Sequence, residues 1–376
     1  MSKHNQDYRT NIRGKLLATA SALALGAYVS MAGTAKAGDA DRPPVWIEFG
    51  GQLNRFVSNQ EDVTPPFFSA ISAAGLSSPL DTEKAPKFSI DEDGKLSFRP
   101  DGSDWVFSAS VQYGRSSDKQ RLHQQTVLGK VKIKGFTTVT PSYGKFVETQ
   151  WASTEKHTVL DFQAGKDVGL GMFGHEGTSE ISFGVRVAQF SSISQAFVNA
   201  DPTIHFPTYV SGIFPFFFYN IDKELYTEND TAERSFRGIG PTLSWQGSSP
   251  IAGNADSAEL LIDWDARVSL LFGRQKARGH HQSSRNACPN YAECKYPSYH
   301  TITVGPDTPH DRSRRVTVPN IGGSLGISFK SGGAKISFGY RADLFMNAMD
   351  TGIDTAKKSN MLFHGPYASI SVGLGD

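Results

Sequence analysis

Cysteine is nearly absent from this chain: 376 residues carry only Cys288 and Cys294, too few for a disulfide scaffold. Long apolar runs are as scarce. Only Leu16 to Gly33 approaches the roughly 18 residues that a spanning helix needs, so a bundle of transmembrane helices is excluded and any membrane role falls to strands. An excess of one charge is missing too. The formal net charge is +1, which gives no basic field, and no nucleic-acid partner is expected.

The one apolar run reads as a secretory signal. Arg13 and Lys15 precede it, and Ala35-Lys36-Ala37 supplies the small-x-small cleavage pattern, so residues 1–37 are expected to be removed and the barrel domain to occupy 38–376. Removal takes away Lys3, Arg9, Arg13, Lys15 and Lys36 but only Asp7, which turns the formal +1 into −3.

Past Gly38 the dominant signal is a period of two, and ten segments carry it. They begin with Val45 to Phe56, the short Lys95 to Arg99, and Trp105 to Gly114 after a Pro-Asp-Gly-Ser turn. The next four centre on Leu160, Val185, Leu243 and Val268, and the last three on Leu325, Tyr340 and Ile370. The seventh is clearest: Leu260, Ile262, Trp264, Ala266, Val268, Leu270 and Phe272 alternate with Glu259, Asp263, Asp265, Arg267 and Ser269. No helical period fits it.

Connections alternate in length. Residues 57–92, 117–154, 191–232, 275–316 and 346–362 read as long loops, whereas 100–103, 168–178, 247–257 and 330–333 read as short turns. An even number of antiparallel strands, short-turned at one end and long-looped at the other, predicts an all-β fold: a transmembrane antiparallel up-and-down β-barrel of about ten strands with periplasmic turns and extracellular loops. A soluble barrel would show the same alternation turned inside out. The polar faces, however, hold Ser, Gly, Gln and Asn rather than the Lys and Glu of a solvated exterior, as suits a crowded lumen. Trp46, Trp105, Tyr113, Trp245, Trp264 and Tyr340 are assigned to the apolar faces, where interfacial aromatic girdles belong.

Asp161, Arg186, Arg237, Asp263, Asp265, Arg267, Arg341 and Asp343 are assigned to the lumen. Opposite charges there either neutralise one another or form a constriction that filters small solutes. Cys288 and Cys294, with five residues between them in an oxidising compartment, are a disulfide candidate; that spacing, and the His280, His281, His300 and His310 nearby, do not match a structural metal site. The aromatic run Ile213 to Tyr219 is expected to tuck over the barrel mouth or to form an adhesive patch. His123, His157 and His364 have acids nearby, but no spacing favours one catalytic assembly over another, so no catalytic residue, enzyme activity, metal or cofactor is expected.

Several of these segments, Trp105 to Ser117 (WVFSASVQYGRSS), Asp161 to Gly171 (DFQAGKDVGLG), Phe183 to Ala188 (FGVRVA), Phe236 to Pro241 (FRGIGP) and His364 to Gly375 (HGPYASISVGLG), resemble the major outer membrane proteins of the Legionella type. The resemblance implies a porin-like outer-membrane barrel without a catalytic signature. It allows at most narrow passage of small hydrophilic solutes, and a closed barrel for surface interaction is the alternative. Expected partners are outer-membrane lipid and lipopolysaccharide and the barrel assembly machinery. The ending Leu374-Gly375-Asp376 lacks the terminal aromatic which that machinery reads in many such proteins.

Overall fold

All ten segments are strands in the computed structural model, which describes residues 44–58, 88–127, 144–168, 178–201, 204–210, 216–254, 258–288, 301–304, 310–351 and 356–374. They are β1 (Val45–Ser58), β2 (Ser89–Phe98), β3 (Trp105–Val127), β4 (Gly144–Asp167), β5 (Thr178–Asp201), β7 (Phe216–Asn254), β8 (Ala258–Cys288), β10 (His310–Ser331), β11 (Ala334–Asp350) and β12 (Lys358–Leu374). Two short strands, β6 (Ile204–Val210) and β9 (Thr301–Val304), attach to β7 and β8. Every barrel strand pairs antiparallel with its predecessor, and β1 closes on β12 from Val45↔Leu374 to Ser58↔Met361. The fold is a closed ten-stranded antiparallel up-and-down barrel.

The pairing register fixes which face each residue takes, because side chains alternate strictly along a strand. On β8, β7 and β10 the outward positions Val268, Leu270, Phe272, Leu243, Ile239, Leu325 and Ile327 are all exposed large hydrophobics. From Leu260 to Phe272 the outward apolar run covers about 28 Å along the membrane normal, at about 3.3 Å per residue and a tilt of about 45°. That is the thickness of a bilayer core.

The described parts of the expected long loops 117–154, 191–232 and 275–316 are strand. β3 and β4 stay paired out to Val127↔Gly144, β5 and β7 out to Ala200↔Tyr226, and β7 and β8 out to Lys223↔Cys288. These extensions rise far above the apolar belt on the long-loop side. They lack the alternation of the spanning parts because no lipid wets their outer face. Among the described residues the ladder is open up there: β2–β3 pairing ends at Ile90↔Arg115 and β10–β11 pairing at Asn320↔Phe345, so β3 above Arg115 and β10 above Asn320 have one neighbour each.

One aromatic assignment changes: Trp46 pairs with Ser97 and Gly373 and shares the inward face with Glu48 and Gln52. Trp264 keeps the outer face, opposite Leu325, but is only 8% exposed, edge-on to Trp245. Residues 1–43, which include the expected signal peptide, lie outside the described residues, as do Cys294, the side chains of Cys288, His281 and His310, His300, and the side chains of the 213–219 aromatic run.

The lumen as candidate functional site

Seven of the eight charged residues assigned to the lumen are there, and several of their contacts bridge strands that are not neighbours. Arg186 on β5 is 1% exposed and grips Asp161 of β4 with both prongs, Nε to Oδ1 at 2.7 Å and NH2 to Oδ2 at 2.8 Å. Its remaining NH1 donates across the barrel to Asn320 of β10 and lies 3.6 Å from Asp343 of β11. Arg267 on β8 lies 3.5 Å from Asp161 and donates to Asp265 at 2.6 Å. Nearer the short turns Lys335 meets Asp263 at 2.8 Å, and Lys95 on β2 donates to Gln246 on β7 at 2.8 Å. Arg341 lies 3.6 Å from Asp93 and over the Tyr367 ring, 4.9 Å from its centroid. A Cβ at Gly339 would stand 2.7 Å from that ring, so the ring is seated only because the position is glycine.

Arg237 is the exception. It is exposed, and its register partners Gln189 and Arg274 place it on the outer face with Ile239. The arginine that β7 turns inward is Arg234, which donates to the Thr351 carbonyl at 3.1 Å.

The three histidines do not converge. His123 and His364 lie on the outer face, the latter 2.5 Å from the Tyr340 hydroxyl, whereas His157 is buried in the lumen with Nε2 2.9 Å from Asp91 Oδ2. Asp91 also accepts from Asn54 at 2.6 Å and Ser89 at 2.9 Å. Gly114 makes room for this group: a Cβ there would stand 2.0 Å from Asp91 Oδ1.

A cavity of about 330 Å³ opens at the short-turn end, beside Arg99, Glu180 and Ser371, and reaches Val159, Asp161 and Arg267. Val159 is also part of a buried apolar layer that lies across the lumen on the long-loop side of the ion pairs. Phe190, Phe236 and Leu271 are 0% exposed and Phe345 is 1% exposed. Phe190 meets Phe345 edge-on at 4.7 Å, stacks on Phe236 at 5.6 Å and reaches Phe363 at 5.5 Å. Part of the layer comes from the β11–β12 hairpin. The pairing register breaks between Phe345 and Met349, where Asn347 takes φ 55°, a left-handed conformation that Asn tolerates. Phe345 faces inward by the parity of Arg341 and Asp343, the bend beyond it brings Ala348 and Met349 into the same layer, and the Gln275 side chain donates to the Asn347 carbonyl at 2.5 Å. No expectation from sequence named this layer. The signal was present, since Phe190 shares the parity of Arg186.

An ion-paired interior within an apolar exterior inverts the pattern of a soluble barrel. The chain is a membrane-spanning β-barrel. No family model and no curated protein matches it. Among solved structures it is similar to the transport unit of the autotransporter AIDA-I from Escherichia coli (7% identity, 91% of this chain and 93% of that one, TM-score 0.23). It is also similar to the β domain of the Bordetella autotransporter Brka (7%, 89% and 100%, 0.19) and the Pseudomonas putida toluene transporter TodX (7%, 90% and 91%, 0.20).

Proposed function

We propose that this is a closed outer-membrane barrel that presents its tall extracellular sheet at the cell surface, as a surface-interaction or structural protein. The aromatic layer carries the reading: four phenylalanines with Leu271, Val318, Met349 and Met361 fill the bore above the ion pairs. An interior this narrow is one that side chains can fill, as about eight strands already allow. The porin-like alternative is favoured by the polar cavity alone, which reaches inward to Val159 of the apolar layer. Membership of the Legionella-type family and absence of enzymatic activity belong to the same proposal, supported by the quoted segments and by histidines that point to opposite faces.

Single-channel recording on refolded protein in planar bilayers tests it. Wild type gives no conductance steps, and neither do Arg267→Ser or Arg341→Ser, because both residues lie on the cavity side of the layer. Phe190→Ala combined with Phe345→Ala introduces steps. Steady wild-type conductance would refute closure and restore the solute-passage reading.

A further inference from the structure

Directly above the last lipid-facing apolar rung, Ile239–Phe272–Thr317 on β7, β8 and β10, the next outward rung is Arg237–Arg274–Arg315. All three are exposed. Directly opposed residues in adjacent strands lie about 4.5–5.5 Å apart, so three guanidinium-bearing chains leave neighbouring backbones at the same height, an arrangement that repels itself. The rung above adds Lys276 between Ser235 and Ser313, also on the outer face. Compensation starts only one rung higher, where Arg278 is 3.1 Å from Asp311 and opposite Glu233. Among the described residues none of the three arginines has an ion-pair or hydrogen-bond partner.

We infer that this ladder binds the phosphate groups of a phosphorylated glycolipid of the outer leaflet, the lipopolysaccharide class, whose acyl chains lie on Ile239, Phe272 and Leu270 beneath it. The inference rests on the outer-membrane reading, with the long strands facing outward. Its ligand chemistry follows from continuity: an apolar surface of acyl-chain height joins, without an intervening neutral rung, a row of donors whose planar forks match phosphate oxygens. A soluble anion would use the arginines and leave the apolar rungs unused. An uncharged lipid would do the reverse.

Full-length protein refolded in zwitterionic micelles is titrated with labelled lipopolysaccharide. Wild type binds saturably, and the triple variant Arg237→Ser, Arg274→Ser, Arg315→Ser binds at least fivefold more weakly. Arg115→Ser, which removes an exposed outward arginine on the far side of the barrel, binds like wild type. Dephosphorylated lipopolysaccharide loses the same fivefold on wild type, and inorganic phosphate does not displace the bound lipid. A smaller loss in the triple variant, an equal loss in Arg115→Ser, undiminished binding of the dephosphorylated lipid or displacement by inorganic phosphate each overturns the inference. Should the triple variant not fold, phenylglyoxal modification of wild type decides: lipid shields Arg237, Arg274 and Arg315 but not Arg115, and equal labelling with and without lipid refutes the site. Channel recording is a separate readout, so a barrel that conducts yet binds the lipid refutes closure alone.

Discussion

Replacement of Arg186 by Leu tests the ion-paired interior directly. The side chain is 1% exposed, holds Asp161 bidentately at 2.7 and 2.8 Å and reaches Asn320 and Asp343, so its loss strands two buried carboxylates with only Arg267, 3.5 Å from Asp161, nearby. Breaking a buried pair by removing one partner costs about 3–5 kcal/mol, because the remaining charge stays desolvated. Against a total of about 5–15 kcal/mol that is a large part of the stability. The exposed pair Arg278–Asp311, at 62% and 60% exposure, supplies the contrast, since Arg278→Ala costs about 0–1 kcal/mol. Urea unfolding in lipid vesicles, followed by tryptophan fluorescence, reads both. Arg186→Leu with Asp161→Leu removes the pair whole and recovers at least about 2 kcal/mol of the summed single losses, as expected for contacting residues. A cost below about 1 kcal/mol for Arg186→Leu, or strict additivity in the double variant, would refute the reasoning.

Three further outcomes are expected. Val268→Arg, on the lipid-facing surface at mid-belt, lowers folding stability in vesicles by about 2–4 kcal/mol, while Thr317→Arg at the outer rim costs about 0–1 kcal/mol; the reverse order would mean the belt is misplaced. Asp230, on the part of β7 above the membrane, is pushed up to about 8 by burial and by Glu228. A raised folded-state value favours the protonated native state, so wild type loses urea resistance as pH rises from about 4 through about 8, and Asp230→Asn flattens that profile; an unchanged profile sinks the assignment. Mass mapping of unreduced exported protein finds Cys288 joined to Cys294, and two alkylatable thiols would exclude the bridge.

The spanning strands were legible in the sequence because lipid imposes one rule on one face: the outward positions of β8 read as an unbroken apolar series. Beyond the belt the rule lapses. Ser191 to Asp201 carries Ser, Ala and Val inward and Gln and Phe outward, a mixture that reads as loop until β4 and β7 pair with it. The lumen charges were found by the same parity, and Arg237 was lost to it, since it shares a face with Ile239 rather than with Phe236. The aromatic layer was missed for a different reason. Phe190, Phe236, Phe345 and Phe363 stand on four different strands and meet only when the barrel is closed, so no one segment of sequence displays the layer.

The open ladder above the membrane has a consequence for how the molecule meets its own kind. Strands that have one bare side among the described residues are templates for another chain's backbone, and copies embedded in one membrane share a plane and an orientation, which favours such encounters. Both bare strands are guarded. β10 presents Asp311-Arg312-Ser313-Arg314-Arg315 and then Pro319, which has no N–H to offer, and β3 presents Asp118, Lys119 and Arg121. Fibre-like zippering between neighbouring copies is thereby discouraged, and self-association through these margins is disfavoured even where the protein is dense in the membrane.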